Sequence, residues 1–285
     1  MRTALKRAAA RLRRAGVDTP ELDAELLLAH VLGRERSFLF AHPDLALDGA
    51  ARSNYAAVVR RRAAREPLPY LLGRWEFMGM SFLVTPAVLI PRPETEVLVE
   101  ALAGRLVPNE SGMRILDIGA GSGCVAIGLV SLLPEAKVVA LEPSQAALGV
   151  ARRNAAALGY AARIEFVAGI FPEDARHVGL FDALAANPPY IPSAEVAALQ
   201  PEIRDYEPRE AVDGGPDGLA VLRPLATEGP DMLVPGGWLA TEVALGQAER
   251  VVQLLQAEGR WEAITTVPDL AGIPRVVLAR RRVEG

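Results

Sequence analysis

The 285-residue sequence contains one cysteine, Cys124, and three widely separated histidines, His30, His42 and His177. A single thiol excludes an intrachain disulfide framework. The histidines lack the paired spacing of zinc ligands, so no metal site is expected. Long apolar runs are also missing, and none approaches the roughly 20 residues that cross a bilayer. Met1-Arg2-Thr3-Ala4-Leu5-Lys6-Arg7 opens with charge, but the roughly 7–15-residue apolar stretch of a secretory leader does not follow. These absences set the expectation of a cytoplasmic protein with no membrane partner. There are no internal repeats and no low-complexity tracts.

Apolar residues are plentiful, at 51% of the chain, and the length suits one large domain or a medium one with a smaller companion. The net charge of −4 conceals an asymmetry. Residues 1–75 hold 14 Lys and Arg against 8 Asp and Glu, while the remainder holds 17 against 27. A basic segment beside an acidic one suggests two domains. The basic segment reads either as a solvated, arginine-rich helical surface or as a docking face for an acidic partner or RNA.

The first 70 or so residues read as helices. Leu5, Ala8, Ala9 and Leu12 recur at helical spacing before Gly16. Thr19-Pro20 reads as an N-cap with proline at the first helical position, opening a helix from Glu21 to Leu32 that stops at Gly33. A third helix is expected from about Gly49 to Arg65. Residues 76–90 resemble two short strands around a glycine turn. Pro91 and Pro93 predict an extended, stiffened hinge through Glu96, with a helix following to about Leu106.

From residue 113 onward, strand-like apolar runs alternate with helical patterns. The runs are Met113–Ile118, Lys137–Leu141, Ile164–Ala168, Phe181–Ala186, Trp238–Val243, Trp261–Val267 and Arg275–Ala279. This alternation predicts an α/β fold with a mostly parallel sheet and ligands beyond the strands' carboxyl ends. The first run ends in Asp117-Ile118-Gly119-Ala120-Gly121-Ser122-Gly123, and the second ends at Glu142, 19 residues past Gly123. The glycines allow positive φ and close backbone approach to a ligand. An acid at the second strand's end can accept both hydroxyls of a ribose. A dinucleotide fingerprint would need its third glycine at position 124 or 126, which hold Cys124 and Ala126. A nicotinamide-dependent oxidoreductase is therefore disfavoured. The G-x-G-x-G loop with Asp117 resembles the first motif of Rossmann-like methyltransferases, which implies S-adenosylmethionine as cofactor, with Asp117 and the loop (Gly119, Ala120, Gly121, Ser122, Gly123) on its methionine moiety and Glu142 on its ribose.

The fourth run leads into Asn187-Pro188-Pro189-Tyr190-Ile191. An amide nitrogen is a poor nucleophile, because its lone pair is delocalised into the carbonyl. A site that methylates it must hold both N–H groups and turn the nitrogen toward the methyl. The Asn187 side-chain oxygen can accept one N–H and the Pro188 carbonyl the other, and neither proline has an N–H that competes. Tyr190 offers a flat apolar face. These four residues are the candidate catalytic set, and together with Ile191 they are the candidate substrate-binding set. The motif is shared by enzymes acting on adenine N6, guanine N2 and glutamine N5, so it specifies the atom type alone.

Further segments follow in a fixed order: Leu89-Ile90-Pro91-Arg92-Pro93-Glu94-Thr95-Glu96, the Asn187 motif, Tyr206-Glu207-Pro208, Asp213-Gly214-Gly215-Pro216-Asp217-Gly218-Leu219, Pro235-Gly236-Gly237 with Glu242 and Gln247, then Asp269-Leu270-Ala271-Gly272 and Arg275. Together they closely resemble the bacterial release-factor glutamine methyltransferases, the HemK/PrmC family, over nearly the whole chain. The resemblance implies a Rossmann-like seven-stranded methyltransferase domain over residues 96–285, a hairpin and linker over 73–95, and a small helical substrate-recognition domain over 1–72. It implies methylation of N5 of the glutamine in the Gly-Gly-Gln motif of class I release factors by a monomer that needs no nucleic acid. It also places Asn187 against the cofactor as well as the substrate, and Ile170 beside the adenine. Two positions depart from the family pattern. Gly169 stands where an acid is expected near the adenine, and the ribose acid is Glu142 rather than the commoner Asp. The rival readings are a methyltransferase of RNA or DNA and a binding protein that has lost its chemistry. The acidic catalytic portion and the lack of a long target-recognition insert argue against DNA.

Overall fold

The computed structural model describes residues 1–107 and 112–283. Residues 108–111, 284 and 285 of the expected 96–285 domain lie outside the described residues. The chain runs through α1 (Arg2–Arg14), α2 (Pro20–Leu32), α3 (Arg36–Ala41), α4 (Gly49–Ala63), α5 (Leu68–Leu72), β1 (Arg74–Phe77), β2 (Met80–Leu83), α6 (Pro93–Ala103), β3 (Met113–Ile118) and α7 (Cys124–Leu132). It continues through β4 (Ala136–Glu142), α8 (Gln145–Ala157), β5 (Ile164–Ala168), β6 (Phe181–Ala186), α9 (Pro201–Tyr206), α10 (Leu222–Met232), β7 (Leu233–Glu242), α11 (Ala248–Glu258), β8 (Trp261–Pro268) and β9 (Pro274–Arg281). Two compact units result, Met1–Arg74 with Leu199–Tyr206, and Trp75–Ala198 with Glu207–Gly285. The hairpin β1–β2 falls in the second unit, and the α9 segment, deep in the sequence of the second, falls in the first.

The first unit is helical. Leu12, Leu27 and Leu28 are fully buried at its centre, each contributing about 1.5–3 kcal/mol by leaving water. α2 starts with Pro20 at its first position and ends at Gly33, whose φ of 60° is left-handed. Thr19 occupies the N-cap position without capping: its Oγ1 donates to Asp23 Oδ1 at 2.7 Å instead. Asp23 is buried and accepts from Arg62 Nε at 2.7 Å, and Arg62 Nη1 donates to Glu202 on α9 at 2.8 Å. Arg65 donates to both Glu202 oxygens at 2.6 Å. An apolar helical face therefore builds this unit, and a network of ions holds α9 to it. The helices α3 and α5, six and five residues long, carry no periodic signal and escaped sequence reading.

The second unit is a seven-stranded sheet in the order β5-β4-β3-β6-β7-β9-β8. β5, β4, β3, β6 and β7 pair in parallel, and β9 runs antiparallel between β7 and β8. All seven apolar runs read from the sequence lie in this sheet. Side chains alternate across it: Ile115 packs with α6 and α7, while Leu116 packs with α10 and α11. Helices thus cover both faces of a near-continuously apolar parallel core. Pro93, expected in an extended hinge, opens α6, with Glu94 and Glu96 in its first turn. Proline at a first helical position gives up no hydrogen bond, and acids there meet the positive end of the helix dipole. Glu96 also accepts from the Met78 N–H in the β1–β2 turn at 2.6 Å, tying that hairpin to α6.

Register decides where a ligand can sit. Ile118, the last residue of β3, pairs with Leu141 on one side and with Ala186 on the other. Glu142 pairs with Ala168. The chain following β3, β4, β5 and β6 therefore emerges at one edge. The connections run from β3 to β4 and β5 on one side and to β6 and β7 on the other, so the edge is a topological switch point, where open α/β sheets bind ligands.

Candidate active site

A cleft opens at that edge. Its lining includes Gly119, Ala120, Gly121, Ser122, Glu142, Ile170, Asn187, Pro188 and Pro189, with apolar walls from Val88, Leu89, Phe171 and Val221. Among the residues singled out from the sequence, Asp117, Gly123, Tyr190 and Ile191 are not part of this lining, and their positions differ in kind.

Asp117 lies beneath the glycine loop, 1% exposed. Its Oδ2 accepts from the Ala126 N–H in the first turn of α7 at 3.0 Å. Its Oδ1 is buried without a hydrogen-bond partner among the described residues. Burial, reinforced by the charge of Glu142, pushes its carboxyl up to about 7, against the pull of the Ala126 N–H. A buried carboxylate oxygen with no donor is costly, and a cationic ligand would relieve that cost. The Gly119 and Ala120 N–H groups both donate to Leu141 O, at 2.9 and 3.1 Å. Gly119 has a φ of 76°, and a side chain there would meet no protein atom within 4 Å, so its free face belongs to the cleft. Gly123 serves a different purpose. A Cβ there would lie 3.2 Å from that of Ala151, so its smallness lets α7 pack on α8.

Glu142 is held by two backbone donors, Gly121 N–H on Oε2 and Ser144 N–H on Oε1, both at 2.9 Å. Each oxygen keeps a second lone pair, so the carboxylate is oriented in advance while still able to accept from a ligand diol. Asn154 on α8 braces the same loop, donating to Ser122 O at 2.9 Å and to Leu83 O at 3.1 Å. Just past the end of β5, Ile170 is 59% exposed. Its N–H donates to Asp174 Oδ2 at 2.7 Å. A Cβ at Gly169 would lie 2.5 Å from that of Asp174. The carboxylate absent from position 169 thus has a neighbour from five residues downstream in its place.

The acceptor side is organised by side chains from distant segments. Asn187 Nδ2 donates to Thr95 Oγ1 at 2.9 Å, and Thr95 Oγ1 donates to Glu242 Oε2 at 2.7 Å. Tyr190 OH donates to Glu242 Oε1 at 3.1 Å. Glu242 is 2% exposed. Burial raises its carboxyl above the ordinary range, although both hydroxyl donors oppose the shift. Burial and the neighbouring Glu242 also push the Tyr190 phenol up. Asn187 Oδ1 makes no hydrogen bond among the described residues.

Glycines press the motif from behind. A Cβ at Gly214 would lie 2.7 Å from Pro189 O and 2.8 Å from Tyr190 Cα, and one at Gly218 would overlap Tyr190 O. Ile191 N–H donates to Val212 O at 3.0 Å and Ile191 O accepts from Gly214 N–H at 2.8 Å, so Ile191 anchors the motif to the loop that follows. Gln247 Nε2 donates to Gly218 O at 2.9 Å. Glu207, buried, accepts from Arg92 and, at 3.1 Å, from Ile90 N–H. Sequence reasoning gave Arg92 no partner and missed Thr95, because neither contact is local: Glu207 lies 115 residues from Arg92 and Glu242 lies 147 from Thr95.

Comparison with known proteins follows the same division. The PrmC N-terminal domain family matches residues 3–73, and the methyltransferase small domain family matches residues 93–202. A release factor glutamine methyltransferase of Moorella thermoacetica is 46% identical over 284 residues, covering 100% of this chain and 99% of its own length. One of Geobacter sulfurreducens is 45% identical over 268 residues, covering 93% and 91%. A Pyrococcus furiosus methyltransferase structure superposes with a TM-score of 0.51 at 18% identity, covering 73% of this chain and 91% of that one, a likeness of fold.

Proposed function

The chain belongs to the release factor glutamine methyltransferase family, and from that premise we propose that its cleft methylates N5 of the glutamine in the Gly-Gly-Gln motif of class I release factors. S-adenosylmethionine is the cofactor; when bound, it supplies an activated methyl group on a sulfonium sulfur. The observation that carries the reading is the state of Asn187: its amide nitrogen is committed to Thr95, its oxygen makes no hydrogen bond among the described residues, and the residue lines the cleft beside two prolines that have no N–H. That arrangement accepts hydrogen bonds and offers none to compete, which suits a carboxamide NH2 group.

The roles divide along the two sides of the cleft. Asp117, under the glycine loop, supplies negative charge to the cationic methionine end, and Glu142 accepts from the ribose hydroxyls. Ile170 covers the adenine. Asn187 Oδ1 and the Pro188 carbonyl each accept one N–H of the glutamine amide, which turns the nitrogen lone pair toward the cofactor. The Tyr190 ring supports the planar group. No strong base is required, since the proton leaves as the nitrogen becomes electron-poor. Alignment of this kind is worth about 7–11 kcal/mol of barrier, and fixed dipoles in a dry site add to it. The helical unit grips the body of the release factor, using the exposed basic face of α1 (Arg7, Arg11 and Arg14).

The test is mass spectrometry of a class I release factor after incubation with the protein and S-adenosylmethionine. One methyl on the Gly-Gly-Gln glutamine, absent with Asn187→Ala, is expected. Transfer to total RNA with none to the release factor would overturn the assignment. Reversing charge at Arg7 and Arg11 should raise KM for the release factor and leave cofactor affinity unchanged.

A further inference from the structure

Glu242 is a buried carboxylate that the methyl transfer just described does not use. It faces two hydroxyls, those of Thr95 and Tyr190, at 2.7 and 3.1 Å. Both hydroxyls donate to it, one to each carboxyl oxygen, so both hydroxyl protons are committed to it. The Thr95 oxygen is then left with lone pairs alone. Its remaining neighbour, the Asn187 carboxamide at 2.9 Å, must present NH2 rather than oxygen. The orientation of Asn187 thus follows from a count of protons along the chain.

We propose that Glu242 is a positioning residue, which acts through the Thr95 hydroxyl to keep Asn187 Oδ1 turned to the acceptor site and, by its second oxygen, holds the Tyr190 end of the same motif. The proposal rests on the reading of Asn187 as the holder of the substrate amide. It explains why a carboxylate is retained in an apolar interior where a lone charge is costly. The start of α6 at Pro93 places Thr95 in its first turn, within hydrogen-bond reach of both Glu242 and Asn187. A carboxamide of the same shape cannot substitute. It accepts through one oxygen and donates through its nitrogen, so one of the two hydroxyls must reverse. If Thr95 reverses, the Asn187 amide flips and presents N–H to a substrate that itself offers N–H.

The experiment uses the full-length enzyme with Glu242→Gln, Thr95→Val and Thr95→Ser. Side-chain amide spectra of 15N-asparagine-labelled protein, with the Asn187 signal identified by its absence in Asn187→Asp, report the orientation without any turnover. Slow proton exchange at the Asn187 carboxamide is expected in the parent and in Thr95→Ser, and exchange at least about tenfold faster in Thr95→Val and Glu242→Gln. Unchanged exchange in those two variants overturns the proposal. In turnover with a release factor and S-adenosylmethionine, kcat should fall about 10–100-fold in Glu242→Gln and Thr95→Val, with KM for the cofactor unchanged and Thr95→Ser restoring most of the loss. An equal fall in all three variants, tracking lowered melting temperature, assigns a packing role and also overturns the proposal. If the parent enzyme transfers no methyl to the release factor, the substrate assignment fails, and the spectra still decide the orientation.

Discussion

At the end of β3 the cleft is shaped by backbone, and at the end of β6 it is shaped by side chains. Between Gly119 and Gly123 the chain turns through left-handed glycines, and the N–H groups of Gly119, Ala120 and Gly121 are spent on Leu141 O and Glu142, one strand away. Around Asn187 the partners come from α6, from the loop after α9 and from the end of β7. A nucleoside cofactor needs close approach and a few fixed acceptors, which a compact strand–loop–strand supplies. An amide acceptor needs one carboxamide held in one of two nearly identical orientations. Only a polar network with a fixed direction supplies that.

Two glycines with the same φ of 76° separate the two sides. Gly218→Ala places a methyl group against Tyr190 O and Gln247. The expected cost is the largest here, about 3 kcal/mol or more of stability from strain and overlap combined. Thermal unfolding and a kcat reduced at least about tenfold would show it, with cofactor affinity little changed. Gly119→Ala meets no protein atom, so it costs only the left-handed backbone term of about 1–2 kcal/mol, and the methyl group projects into the cleft. Cofactor binding measured by calorimetry should weaken by about tenfold or more. If Gly119→Ala binds cofactor normally, the backbone-shaped side of the comparison is wrong.

Asp117 gives the cofactor side a pH dependence. Its carboxyl is raised to about 7, so lowering the pH through 7 protonates it and, in the role proposed for it, removes the charge offered to the cationic ligand. Affinity should fall as pH drops below 7, approaching about tenfold per unit, and Asp117→Asn should be weaker throughout and nearly flat. The ligand-free protein should show the opposite trend from this group. The folded state binds the proton more tightly than the unfolded one, so the contribution is full below the unfolded value of 3.8 and lost as pH rises through about 7. The smallest effect is expected at α9. Glu202→Gln weakens its pairing with Arg65 and Arg62 while Arg62 keeps Asp23. Because Glu202 retains contact with water, about 1 kcal/mol is expected, seen as a small drop in melting temperature with unchanged cofactor affinity.

Legibility followed the same line as the comparison. The G-x-G-x-G loop and Glu142 were readable because strand, turn and acid are contiguous or a fixed distance apart. The Asn-Pro-Pro-Tyr motif was readable as a run of acceptors, since two prolines beside an asparagine leave carbonyls without competing N–H donors. Pro93 was misread as part of an extended segment, because proline is compatible with both an extended chain and a helix's first turn, and only packing of Thr95, Leu98 and Val99 chose the helix. Thr19 was expected to cap α2, and the buried Asp23 claimed its hydroxyl. The α9 segment carried no sign that it would join the helical unit.

The residues alone determined the seven apolar runs, the alternation that favours a mostly parallel sheet, the glycine loop and the proline-rich Asn187 motif, since each depends on local periodicity or on covalent limits of glycine and proline. Tertiary structure alone decided the strand order that creates the switch point, the seating of Gly214 and Gly218 against Pro189 and Tyr190, and the meeting of Thr95, Asn187, Tyr190 and Glu242. Those depend on which long-range contacts bury the most apolar surface while giving buried polar groups partners, a condition that no single segment of the chain contains.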